Sequence, residues 1–222
     1  MDTPPQLRSD HATLDTAWRI AIGDLAGNIS AEASLTPCLQ AGLDYGVWTR
    51  DAAIHAWHGA GLVCPRAIGA SLQRCLVADK QHGGRQVGGQ YWDRISWVIG
   101  AYRLALQHPD LGILPFLAGV TANTLGQAEE QEWDAEDGLF RGPACYGDGV
   151  SAYPDRYAAP SGAIEDWPTY APEPAVDAGA GIPMKALSTN LLYVEAYRIA
   201  ATLFRRSGTP PRTRDSSRAP SW

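Results

Sequence analysis

Tyr45-Gly46-Val47-Trp48-Thr49-Arg50-Asp51 sets two aromatic rings, a guanidinium and a carboxylate immediately ahead of a helical pattern. A flat ring covers the apolar C–H face of a sugar, while arginine donates to its hydroxyls and aspartate accepts from them. The same residues also fit an ordinary helix start, with Asp51 at the positive end of the helix dipole beside an exposed arginine.

On either side of this run the periodicity is helical. Leu14, Trp18, Ala21, Ile22 and Leu25 recur at helical spacing before the stop signal Gly27-Asn28. A loop containing Pro37 and Gly42 spans about 31–50. A second helix is expected from near Asp51 to about Gly59–Gly61, and a third from Pro65 to about Ala78. The glycine-rich stretch from His82 to Gly89 reads as a loop. A fourth helix starts near Trp92, carries Ile95, Ile99, Tyr102 and Leu106 on one face, and stops before Pro109. A fifth runs from about Leu111 to Trp133, with Pro115 marking its first turn and Leu117, Val120 and Thr124 in register. After a long loop rich in proline and glycine, about 134–181, a sixth follows from Pro183 with Leu187, Leu191, Val194 and Arg198 at turn spacing. No strand alternation and no repeat of fixed period stands out. The expected class is all-α, built of successive helical hairpins: a flexible N-terminus over 1–9, a helical body over 10–204 and a disordered tail over 205–222.

Composition narrows the function. The 222 residues carry a formal net charge of −6, which argues against nucleic acid or an anionic membrane as partner. The charge is uneven, because 205–222 holds five arginines and only one acid, so the body is more acidic than the whole. Eight Trp and nine Tyr against three Phe suit wet, carbohydrate-lined surfaces, although a core that uses Trp accounts for part of this balance. Cys38, Cys64, Cys75 and Cys145 lack metal-type spacing and read as reduced. His55 and His58 lie one turn apart without a third ligand nearby, so neither a metal nor another cofactor is expected. The start MDTPPQLRSD has no apolar signal region, and no run of about 18 apolar residues exists, so a cytoplasmic protein is expected. His11, His82 and His108 have no evident catalytic companions, Ser151 and Ser161 lack a nucleophile elbow, and GGRQVGG is no P-loop.

The polar aromatic residues cluster in three loops. Tyr45, Trp48, Arg50 and Asp51 precede the second helix; Gln90, Tyr91, Trp92, Asp93 and Arg94 precede the fourth; Tyr146, Asp148, Tyr153, Asp155 and Glu165-Asp166-Trp167 precede the sixth. If helices alternate up and down, loops before even-numbered helices emerge at one end. Glycoside hydrolysis needs two carboxyl groups, one acid for the leaving oxygen and one base or nucleophile. Adjacent carboxyls beside an indole, as in Glu165-Asp166-Trp167, can raise the pKa of an acid. The same triplet is also an ordinary acidic turn before Pro168.

At these residues the chain resembles a known clan. Tyr45-x-x-Trp48-Thr49-Arg50-Asp51-Ala52-Ala53 is similar to the Trp-x-Arg-Asp segment of glucoamylases and related six-hairpin glycosidases, including trehalases and processing α-glucosidases. Gln90-Tyr91-Trp92-Asp93 resembles the start of their fourth helix, Glu165-Asp166-Trp167-Pro168 falls in the loop of their general acid, and MKALSTNLLYVEAYRIAATL resembles their sixth helix. The resemblance covers about 10–203 and implies an incomplete (α/α)6 toroid, with 10–204 as a partial catalytic domain. It implies that Arg50 and Asp51 hold sugar hydroxyls, that Tyr45, Trp48 and Trp92 shape the subsite, and that Asp93 contacts the sugar or buttresses the loop. Asp166, slightly preferred, or Glu165 would be the general acid, with Asp148 as an outside candidate and Trp167 lining the site. The Trp167-Pro168 ending departs from the usual pattern, leaving substrate and acid open. The clan's second catalytic carboxylate lies near the end of its barrel, so the chain is expected to be the first half of a domain without its base. The implied function is a glycoside hydrolase acting on a terminal glucoside or related sugar. The alternatives are a sugar phosphorylase of the same fold and a non-catalytic helical sugar-binding protein.

Overall fold

The computed structural model of the protein describes residues 5–30, 36–43, 45–89, 91–145 and 185–207. The described residues form an all-α fold: α1 (Ala12–Gly27), α2 (Thr49–Trp57), α3 (Gly59–Val63), α4 (Pro65–Arg74), α5 (Tyr91–Gln107), α6 (Leu114–Glu132) and α7 (Leu187–Ser207), with a 3-10 turn at Pro109–Leu111. Two short antiparallel hairpins are inserted between helices, β1 (Ile29–Ser30) with β2 (Cys38–Leu39) and β3 (Leu76–Ala78) with β4 (Arg85–Val87). A third, β5 (Trp133–Asp134) with β6 (Leu139–Phe140), follows α6.

The α5 helix is the centre. Trp92, Ile95, Trp97, Val98, Ile99, Ala101, Leu104 and Ala105 are all buried, which covers nearly every face and is what a helix enclosed by others requires. It packs against α2, α4, α6 and α7. The approach to α2 is very close. Ala52, Ala53 and Ala56 present a smooth face, and a Cβ added to Gly100 would lie 2.5 Å from the Ala53 carbonyl oxygen. Trp97 is fully buried and its indole N–H donates to the Leu72 carbonyl at 3.0 Å, so its large apolar surface enters the core without stranding a donor. Between α5 and α6 the chain reverses through Gly112, whose φ of 65° favours glycine. Pro115 sits in the first turn of α6, as its spacing predicts.

Several expectations change. The third helix stops at Arg74 rather than near Ala78, because Leu76–Ala78 pairs with Arg85–Val87. The expected loop from His82 to Gly89 is therefore partly a strand, with Gly83 and Gly84 at positive φ making its turn. The long loop after α6 begins with a hairpin turned at Gly138. Strands of two or three residues are too short to show alternation, which is why none was legible. On α7 the buried face is Leu192, Tyr193, Ala196, Ile199, Ala200 and Leu203, while Leu187, Leu191 and Arg198 are exposed. Both sets have helical spacing; Tyr193, stacked on Phe140 at 3.6 Å between ring centroids, fixes which one turns inward. On α5 Leu106 is likewise exposed. On α1 no residue is buried, and Leu14 and Ile20 face outward. Among the described residues no helix is long and apolar enough to cross a membrane.

Candidate functional site

The starts of α2, α5 and α7 meet at one end of the fold. Trp48 precedes α2 in an extended conformation, and its indole N–H donates to the Tyr45 carbonyl at 2.8 Å. This leaves much of the indole face and most of Tyr45 exposed, at 46% and 72%. The Thr49 hydroxyl donates to the Gly88 carbonyl at 3.0 Å. The next glycine permits that contact, since a Cβ on Gly89 would sit 3.1 Å from Thr49 Oγ1, and its φ of 103° is one that L residues rarely adopt. The β4 strand thus delivers the start of α5 directly onto the start of α2.

Arg50 lies across this junction. Its Nε is 3.4 Å from Asp93 Oδ1, and its guanidinium carbon is 5.1 Å from the Trp92 ring centroid. A cation over an indole and beside a carboxylate is held in one orientation by both. Trp92 and Asp93 are buried, so they touch Arg50 from beneath and present little surface of their own. Asp51 occupies the first turn of α2 and is half-buried. His55 follows one turn later. Burial lowers its pKa, with the charge of Asp51 opposing, which favours a neutral ring. Burial pushes the Cys75 thiol up to about 11, against a hydrogen bond with Thr49, which favours the protonated thiol.

Tyr91 opens α5 at φ 42°, the one non-glycine residue at positive φ among those described. Such a backbone costs energy and persists only where its surroundings hold it. Those surroundings include the start of α7: a Cβ on Gly142 would lie 3.5 Å from Tyr91 Cδ1 and 3.9 Å from Thr189 Cγ2. Gly142 bridges to Lys185, the Cys145 amide donates to Ser188 Oγ at 3.2 Å, and the Thr189 hydroxyl donates to the Pro143 carbonyl. The Asn190 amide group both accepts from and donates to the Phe140 backbone, at 2.9 and 3.0 Å. Asp134 receives Arg141 at 3.0 Å and Lys185 at 2.8 Å, and Lys185 also pairs with Asp137. Lys185 first, then Arg141, holds the Asp134 carboxyl well below the usual carboxylate range.

A buried polar group lies under the same end. Arg94 pairs with Glu132 and donates to Gln127 and Gln131, while the Tyr193 hydroxyl donates to the other oxygen of Glu132. Burial raises the Glu132 carboxyl, opposed by the charge of Arg94 and the bond from Tyr193. The group ties α5, α6 and α7 together just below Trp92 and Asp93.

Of the residues expected to form a sugar site, the structure brings Arg50, Trp92 and Asp93 into contact, while Tyr45, Trp48 and Asp51 lie in the segment that leads into and opens α2. Asp148, Glu165, Asp166 and Trp167 lie outside the described residues. Sequence reasoning missed Gly142, Asp134, Arg141, Lys185 and Glu132. The stretch Trp133–Gly142, with its Asp-x-x-x-Gly turn between aromatic residues, carried the signal for the hairpin that positions them. Among the described residues no group of three or more His, Cys, Asp or Glu side chains is arranged to hold a metal ion, and His55 and His58 form no part of one. No protein-family model matches the chain, and no curated protein or solved structure matches it.

Proposed function

We propose that the end where α2, α5 and α7 begin binds a terminal glucoside or related sugar, as part of a glycoside hydrolase working by general acid/base catalysis. The observation that carries this reading is the posture of Arg50. Asp93 and Trp92 hold it at the start of α2, in the segment where Trp48 and Tyr45 are exposed and Asp51 occupies the first helical turn. A guanidinium held in place before the ligand arrives loses little freedom on binding. An exposed indole two residues before it in the same segment suits the C–H face of a pyranose.

In this reading Arg50 donates to adjacent hydroxyls, Asp51 accepts from one, and Trp48 stacks. Trp92 and Asp93 act through Arg50 rather than by touching the sugar. The acid is assigned to the Glu165-Asp166 pair, beside Trp167 and with Asp148 nearby in sequence. Cys145 and Lys185, the described residues on either side of that stretch, both sit at this end, which favours the assignment. Helix starts gathered at one end are also what an (α/α)6 toroid of helical hairpins requires, and we assign that architecture on the same ground.

The test is hydrolysis of an aryl glucoside by the chain in its natural full-length protein. Asp166→Asn or Glu165→Gln is expected to abolish turnover, and Arg50→Lys to raise KM about tenfold by removing the planar fork of donors. Unchanged turnover in both carboxyl variants overturns the acid assignment. Sugar binding with no cleavage of any glycoside favours a binding protein instead.

A further inference from the structure

The β3–β4 hairpin is fastened to α6 by contacts of two kinds. Neutral ones come from Asn123, whose amide donates to the carbonyls of Gly83 at 2.9 Å and Arg85 at 3.2 Å, and from Thr124, whose hydroxyl accepts from the Val87 amide at 3.0 Å. The other kind runs through His82. Its Nδ1 lies 3.3 Å from Asp79 Oδ2 within the turn, and its Nε2 lies 3.6 Å from Glu130 Oε1 on α6. Both ring nitrogens therefore face carboxylate oxygens.

A neutral imidazole carries one N–H and one lone pair, so one of its nitrogens would turn a lone pair toward a carboxylate. Only the imidazolium turns an N–H and a positive charge toward both, as a hydrogen bond to Asp79 and an ion pair with Glu130. We infer that His82 is a proton-operated clasp, which closes the β3–β4 turn onto α6 when cationic and releases one arm when neutral.

Asp79 is a prepared anchor for this clasp. Its side chain is almost fully buried, and its second oxygen accepts the amides of Gln81 and His82, each at 2.9 Å. The other charged groups of the two elements are placed differently. Lys80 is exposed on the turn, and Arg85 on β4 reaches the carbonyls of Gln73 and Leu76. On α6 Glu129 is taken by the Tyr197 hydroxyl. Asp79 from the turn and Glu130 from α6 thus both face the ring.

The consequence reaches the starts of α2 and α5. The β4 strand runs directly into Gly88, whose carbonyl receives Thr49, and Gly89, which rests on Thr49 and Asp93. Loosening the turn loosens the strand that holds those two starts together. The inference is independent of what binds there.

The test is amide exchange in the full chain between about pH 5 and 8, the range in which an imidazole changes charge, corrected for intrinsic exchange. In the wild type, protection at Gln81, His82 and Gly83 should fall about threefold as pH rises, the size expected of a partly exposed ion pair. His82→Gln, which is neutral throughout, should show low protection and no step. The nitrogen chemical shifts of His82 in the wild-type protein supply a second readout that needs no variant. Equal pH dependence in the wild type and His82→Gln overturns the inference. So do nitrogen shifts that show a neutral ring at pH 5.

Discussion

Helices α1 and α5 are nearly equal in length and both are rich in apolar residues, yet most of α5 is buried and no residue of α1 is. Periodicity identified both as helices. It did not say that one would become the hub of the fold and the other a surface element. The difference lies in what each meets. The α5 helix offers Gly100 to the Ala53 backbone and Trp97 to the Leu72 carbonyl, so two neighbours fit it at close range. Among the described residues the α1 helix packs chiefly against β1, with Leu25 reaching the edge of the core, and its indole Trp18 turns back to the Pro5 carbonyl. Helix formation is local, whereas burial depends on complementary surfaces brought from elsewhere in the chain.

Substitutions can break this contrast in graded steps. Trp97→Ala should cost the most, about 3–5 kcal/mol in denaturant unfolding, because it opens a large cavity and removes one of the donors to the buried Leu72 carbonyl, which keeps the Cys75 amide. Gly100→Ala should cost about 1–3 kcal/mol despite adding one methyl, because α2 must move away from α5. A similar stability for Gly100→Ala and the wild type would show that the two helices are not in close contact. Asp79→Asn should cost about 1.5 kcal/mol at neutral pH, since a charged acceptor of two amides is replaced. Its carboxyl is held below the ordinary range, chiefly by the His82 amide. The stability it supplies is therefore complete above the ordinary aspartate value near pH 4 and is lost as pH falls through the lowered one. Acid unfolding curves of the wild type should show that loss, and those of Asp79→Asn should be flatter over the same range. Ile20→Ser on α1 should change stability by less than about 0.5 kcal/mol, and a larger loss would reveal packing that the exposed face of α1 does not show.

The sequence made the helices legible wherever a stop signal or proline bounded them, as at Gly27-Asn28, Pro65 and Pro115. It misplaced faces where two apolar registers competed, as on α7, because Leu187 and Leu191 are as apolar as Leu192 and Ile199. The hairpins were hidden by their brevity. At the candidate site, residue types and spacing singled out Arg50, Trp92 and Asp93, and the fold brings them together. Their division of labour was not legible. Whether an aromatic ring faces solvent or supports an arginine from beneath depends on depth, and depth at Trp92 is set by the packing of α5 against α2. The scaffold of Asp134, Arg141 and Lys185 was invisible for a similar reason, since Lys185 is far from the other two in sequence.

The central claim is that Arg50, braced by Asp93 and Trp92, holds a sugar beside Trp48. The most direct measurement is a titration of the isotope-labelled chain with methyl glucoside, followed through the Trp48 indole N–H and the Arg50 Nε–H signals. The expected result is saturable shifts at both groups and at Asp51, with small shifts elsewhere and none at Trp97, all lost in Arg50→Met while the remaining spectrum stays folded. The contradicting result is a folded spectrum in which neither Trp48 nor Arg50 responds to the sugar, or a response that survives in Arg50→Met.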